Sequence, residues 1–172
     1  MSSRSSWPMR SLILGLCIWL APMVASTSQA SNLPNGAEQR GEAAFRFLGF
    51  QIYTARLFTK GGLPLDWSQD FGLELTYKRN LSQSDLVEAT LREMDRMGNA
   101  LPIRGQLENC YQAVRPGDTY LAVSNGPDQL TFWRNDVAVC MLSHAGIKTR
   151  FMEIFLGENS RSERFTQALL GQ

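Results

Sequence analysis

The chain has 172 residues, 44% hydrophobic and 19% charged, which is enough for one globular domain with a sizeable core. Its 17 basic and 16 acidic residues nearly cancel, which argues against a nucleic-acid or general anionic-membrane partner, since either would want a strongly basic field.

The first thirty residues read as a secretory signal peptide. Arg4 and Arg10 make a basic start with no acidic residue, "SLILGLCIWLAPMVA" (11–25) is an apolar run broken by Pro22, and Ser28 and Ala30 are the small residues that cleavage after Ala30 needs. A membrane anchor is the alternative, but the run is too short and too interrupted to span a core of ~30 Å. The division is therefore 1–30 signal and 31–172 domain, with export to the periplasm. Taking away Arg4 and Arg10 leaves 15 basic against 16 acidic residues. No later stretch is long and apolar enough to cross a membrane.

Residues 31–41 are small and polar and read as a lead-in. "FRFLGFQIYTARLF" (45–58) follows, apolar on both parities: Phe47, Tyr53, Ala55 and Leu57 on one, Leu48, Phe50, Ile52 and Phe58 on the other. This predicts one central strand over 43–58, covered on both sides, with Gly49 at a bulge or close approach. After a Gly/Pro loop, "FGLELTYKR" (71–79) alternates as a half-buried strand. Ser82 and Asp85 have capping-box spacing and open a helix with Leu86, Ala89, Met94 and Met97 on one face, closed by Gly98. A second helix starts after Pro102, with Ile103, Leu107, Cys110 and Val114 sharing a face. "TYLAVS", "QLTFW" and "VAVCML", joined by "NGPD" and "RND", make an antiparallel meander. Ile147, Phe151, Ile154 and Phe155 make a third helix, and a capping box from Ser160 to Glu163 opens a fourth. Antiparallel strands with grouped helices make the class α+β, a curved sheet with helices on one face.

Chemistry-bearing patterns are few. His144 is the single histidine and has no arrangement with a nucleophile; no phosphate loop, dinucleotide fingerprint, metal cluster or carboxylate pair stands out, so no catalytic residue and no cofactor is expected. Cys17 leaves with the signal. In an exported domain the remaining pair, Cys110 and Cys140, points to a disulfide, with two buried thiols as the alternative. Arg40, Arg46 and Arg56 lie in or beside the apolar strand. An arginine against apolar walls binds a carboxylate bidentately, whereas one that snorkels covers apolar surface with its stem.

Taken in series, "FRFLGFQIYTARLF", "LELTYKR", "VRPGDTY", "TFWRN" and "FMEIFLGENSRSERFTQALLG" resemble the chalcone isomerase-like proteins, in particular their short, exported bacterial branch. The resemblance covers about residues 40–171. It implies an open-faced β-sandwich, mainly antiparallel, with a cleft between the sheet and the helical layer that holds a flavonoid in the enzymes or a fatty acid in other relatives. The enzymes' catalytic residues do not carry over well. Arg40 or Arg46 takes the arginine's place, Leu48 stands where the resemblance puts a threonine, the expected tyrosine is missing, and Asn80 is not clearly aligned. Replacing a polarising hydroxyl by hydrocarbon removes stabilisation of charge in the transition state. The expectation is a non-catalytic binder of a fatty acid or other small apolar carboxylate, with Arg40, Arg46 and Tyr53 as ligand contacts. An intramolecular lyase or isomerase and a structural or interaction protein with a filled cleft are the alternatives.

Overall fold

The computed structural model describes residues 32–172; the segment read as a signal peptide lies outside the described residues. Six strands, β1 (Ala37–Phe47), β2 (Phe50–Lys60), β3 (Gly72–Tyr77), β4 (Thr119–Ser124), β5 (Gln129–Arg134) and β6 (Val137–Ser143), form one antiparallel sheet in strictly sequential order. Helices α1 (Gln83–Arg96) and α2 (Arg104–Cys110) come between β3 and β4, and α3 (Ile147–Leu156) and α4 (Glu163–Leu169) follow β6. The class is α+β, as the element order predicts. Among the described residues, no helix is long and apolar enough to cross a membrane.

The expected single strand over 43–58 is a hairpin. Leu48 (φ 49°) and Gly49 (φ 82°) both sit in the left-handed region, the backbone of a two-residue I′ turn, so Phe47 pairs with Phe50 and the chain returns on itself. The apolar residues on both parities thus belong to two strands. The polar lead-in is shorter than expected, because Ala37 to Gly41 pair with β2. Two further boundaries differ. Helix α2 ends at Cys110, so Val114 bridges to Leu81 and does not extend the helical face. The fourth helix is capped by Ser162, whose hydroxyl accepts from Phe165 N, and not by Ser160. The α1 capping box is present as read: Ser82 Oγ accepts from Asp85 N, and Asp85 Oδ2 accepts from Ser82 N at 2.8 Å.

Cross-strand register sets the inner face of the sheet. Ala43, Phe45, Tyr53, Ala55, Leu57, Leu73, Tyr77, Tyr120, Ala122 and Phe132 are all buried on it, against Leu86, Met94, Leu107, Phe151, Phe155 and Phe165 from the helices. Two places fix the helical layer to the sheet. At the β1 edge, Gly41 passes so close to α4 that a Cβ there would collide with the Leu169 carbonyl oxygen, so only glycine fits. At the other edge, Cys140 on β6 and Cys110 at the end of α2 are joined as a disulfide with Cα atoms 5.1 Å apart. Helix α1 leans mainly on α2 and α3 and stands off the sheet.

Candidate functional site

The space left under α1 is a cavity of about 420 Å³, within the range of small-molecule sites. Its floor is Phe45, Tyr53, Leu75 and Tyr77 of the first three strands; its roof is Leu86, Ala89 and Thr90 of α1. Tyr111, just after α2, and Phe155 of α3 close it. The floor owes one residue to an irregularity in the hairpin. Phe45 pairs with Tyr53 and Arg46 with Gln51, so Ile52 is the extra residue of a bulge and joins the wall beside its neighbour Tyr53. Phe47 extends the wall towards the hairpin tip. A larger open depression of about 580 Å³ near Ser82, Val114 and Arg134 holds the Arg134–Asp118 ion pair and has no aromatic residue in its lining.

Charged groups enter the lining from α1 at Asp85, Glu88 and Arg92, and phenol hydroxyls at Tyr53, Tyr77 and Tyr111. All four tyrosines of the chain stand in one ribbon: ring centroids are 6.1 Å apart for Tyr53 and Tyr77, 6.3 Å for Tyr77 and Tyr120, and 5.5 Å for Tyr111 and Tyr120. Burial holds their hydroxyls protonated. It pushes Tyr111 up to about 12, partly offset by its hydrogen bond with Thr90, and Tyr77 well above its ordinary value. Burial also raises Tyr53, against the pull of the neighbouring Arg161 guanidinium, and Tyr120, whose hydroxyl accepts from Gln112 N.

Besides Arg92 of α1, the lining holds one further cation, Arg161, in the loop between α3 and α4. Its guanidinium lies 4.4 Å above the Phe45 ring and pairs with Glu93 at 3.5 Å. Glu93, buried on the inner side of α1, also accepts from Arg96 Nε at 3.0 Å. Two guanidinium groups thus share one carboxylate at the cavity wall. Arg161 and the protonated Tyr53 hydroxyl beside it are donors that a carboxylate in the cavity could accept from.

Of the residues singled out in the sequence, Tyr53 lies in the cavity wall and Arg40 and Arg46 do not. Arg40 is the extra residue of a bulge between Gln39 and Gly41, and its Nε donates to the Leu170 carbonyl at 2.8 Å, at the end of α4. Arg46 is exposed beside the hairpin turn. Arg56 pairs with Glu74 directly across the β2–β3 ladder. Leu48 is 80% exposed in the turn and is not among the residues that line the cavity. His144 lies outside the cavity wall, its ring nitrogen near the Ala145 carbonyl. Sequence reasoning missed Arg161, Glu93, Tyr77 and Tyr111. One sign was available. Glu93 falls seven residues after Leu86, within the apolar face of α1, and an acid at such a position calls for a buried cation.

No protein-family model matches the chain, and no curated protein matches it in sequence. Among solved structures, a fatty-acid binding protein of Arabidopsis thaliana superposes with a TM-score of 0.60 at 9% sequence identity, over 80% of this chain and 88% of that one. The likeness shows the fold: this chain is a chalcone isomerase-like open-faced β-sandwich, the architecture that the sequence resemblance implies.

Proposed function

We propose that this chalcone isomerase-like sandwich binds a fatty acid or another small apolar carboxylate in the cavity under α1, acyl chain along Phe45, Ile52, Leu75 and Leu86, and head group at Arg161 and Tyr53. One observation carries the reading: the Arg161 guanidinium is set over the Phe45 ring in the cavity wall and shares its only carboxylate partner among the described residues with Arg96. The fold neighbour that is a fatty-acid binding protein agrees with it. The basic start, apolar run and small residues of 1–30, together with the disulfide, support a protein exported to an oxidising compartment such as the periplasm. A non-catalytic role is the better fit to the tyrosines, because hydroxyls held protonated by burial are poor bases near neutral pH.

Titration with dodecanoate and with its methyl ester tests the head-group assignment. The acid should bind more tightly than the ester. Arg161→Ala should weaken the acid about 10–100-fold, the effect of losing one charge-assisted hydrogen bond, and leave the ester unchanged. Tyr53→Phe should weaken it less. The fold survives the arginine change because Arg96 still pairs with Glu93. Equal affinity for acid and ester, or acid affinity indifferent to Arg161, sinks the reading. Native mass spectrometry of protein from its own compartment distinguishes a carrier, which brings lipid with it, from an interaction protein whose cleft is filled by its own side chains.

A further inference from the structure

We propose that the tip of the β1–β2 hairpin is a membrane-docking finger that inserts Phe47, Leu48 and Phe50 into the headgroup region of a phospholipid bilayer. The inference deepens the reading of the cavity as an acyl-chain site and rests on it only for the purpose of docking.

The first observation is exposure. Phe47, Leu48 and Phe50 are 57%, 80% and 57% exposed within four consecutive residues, so the tip carries a compact apolar cluster that the fold does not bury. The second is the backbone. An I′ turn is best served by Asn, Asp or Gly, and the β5–β6 hairpin of this same sheet uses Asn135 and Asp136 at φ 47° and 65°. The β1–β2 hairpin puts a leucine there, at φ 49°, where a residue with a γ-branched apolar side chain is strained. Neither the turn nor the core gains from that choice. A side chain that is wrong for its backbone and exposed to water is explained by what it does outside the protein.

The third observation is continuity. Phe47 belongs both to the tip and to the cavity wall, and the bulged Ile52 follows it inward. An acyl chain withdrawn from a bilayer would pass from the finger into the cavity along one apolar surface. The fourth is local charge. Arg46 flanks the turn and the Arg79 guanidinium lies 4.2 Å over the Phe50 ring, so two cations stand beside the tip. The nearby carboxylates are engaged: Asp85 caps α1 and Glu88 pairs with Arg104. The near-neutral chain has no long-range field for an anionic surface, but insertion needs only a short-range collar that meets phosphates once the apolar residues enter. Size separates a bilayer from a protein partner. A specific protein interface takes about 1,000 Å² or more of buried surface, whereas three side chains on a two-residue turn suit partial insertion between headgroups.

The test is flotation with vesicles of phosphatidylcholine, with and without phosphatidylglycerol, combined with hydrogen exchange on the bound protein. Wild-type chain should float, more so with phosphatidylglycerol, and amides around Arg46–Gln51 should gain protection. Leu48→Asn puts the preferred residue into the turn. It should raise the melting temperature while lowering vesicle partitioning about tenfold, the loss expected from removing one buried apolar side chain. Arg161→Ala should float like the wild type. Protection that appears elsewhere and spares the tip overturns the proposal, as does undiminished flotation of Leu48→Asn, loss of flotation in Arg161→Ala, or a tip protected only by a protein partner. A protein that docks through its tip yet ignores dodecanoate keeps this inference and removes the cavity reading.

Discussion

Arg40, Arg46, Arg56 and Arg161 are chemically the same side chain and have four different surroundings. Arg40 donates to the Leu170 carbonyl, where the end of α4 presents unpaired acceptors and the negative end of its dipole, and reaches Gly62 O at 3.4 Å. It holds the terminal helix to the first strand. Arg40→Ala should therefore lower stability by about 1–2 kcal/mol, the worth of a partly buried charged hydrogen bond, and leave dodecanoate affinity unchanged. Urea denaturation and the ligand titration read the two halves; a weakened affinity with unchanged stability would return Arg40 to the site. Arg56 and Glu74 face each other across the ladder and are partly solvated, so that pair contributes little. Only Arg161 combines an aromatic face, a shared counter-ion and a cavity wall. Nothing in its immediate sequence, "SRSER", separates it from a solvated loop residue, because its partners Phe45 and Glu93 are brought to it by tertiary packing.

At the scale of elements, periodicity was legible and reversal of direction was not. Strand β3, helix α1 with its capping box, the meander β4–β6 and helix α3 follow directly from alternation, spacing and turn residues. The β1–β2 hairpin escapes the same reasoning because its turn is Leu-Gly, which lacks the Asn or Asp that marks an I′ turn, so two strands read as one. The cavity escapes for a related reason: it exists because α1 leans on its fellow helices, and a helix's apolar stripe does not say what it will face. The link from α2 to β6 was readable from two cysteines on apolar positions. Both face the core, since Cys140 pairs with Phe132 on the inner side of the sheet. The 30-residue separation corresponds to about 3–4 kcal/mol in the chain-entropy account of cross-links. Reduction, or Cys110→Ser with Cys140→Ser, should lower the melting temperature accordingly and raise hydrogen exchange first in α2, a seven-residue helix without a side-chain N-cap. An unchanged melting temperature would show that packing alone holds α2.

For the whole molecule, the tyrosine ribbon ties the interior to alkaline pH. Burial raises all four hydroxyls in the folded chain, so the folded state binds more protons than the unfolded one above the ordinary tyrosine value of 10.0. Their contribution to stability is fully present below that pH and is lost progressively as pH rises beyond it. Native protein should show little tyrosinate absorbance at a pH where the chain in denaturant is more than half ionised, and unfolding should become easier over the same interval; matching titration curves for the two states would contradict the packing described. The sequential strand order has a consequence for how quickly this molecule is made. Every strand pairs with its neighbour in the chain, and four of the five ladders close over connections of no more than eleven residues. Such local pairing favours rapid folding for a sheet protein. The exception is β3 with β4, whose partners are brought together only after the segment carrying α1 and α2 has found its place. Closing that ladder also brings α1 and Tyr111 over the first three strands, so the least local strand pairing and the roofing of the cavity belong to one event, on which a ligand present during folding would act.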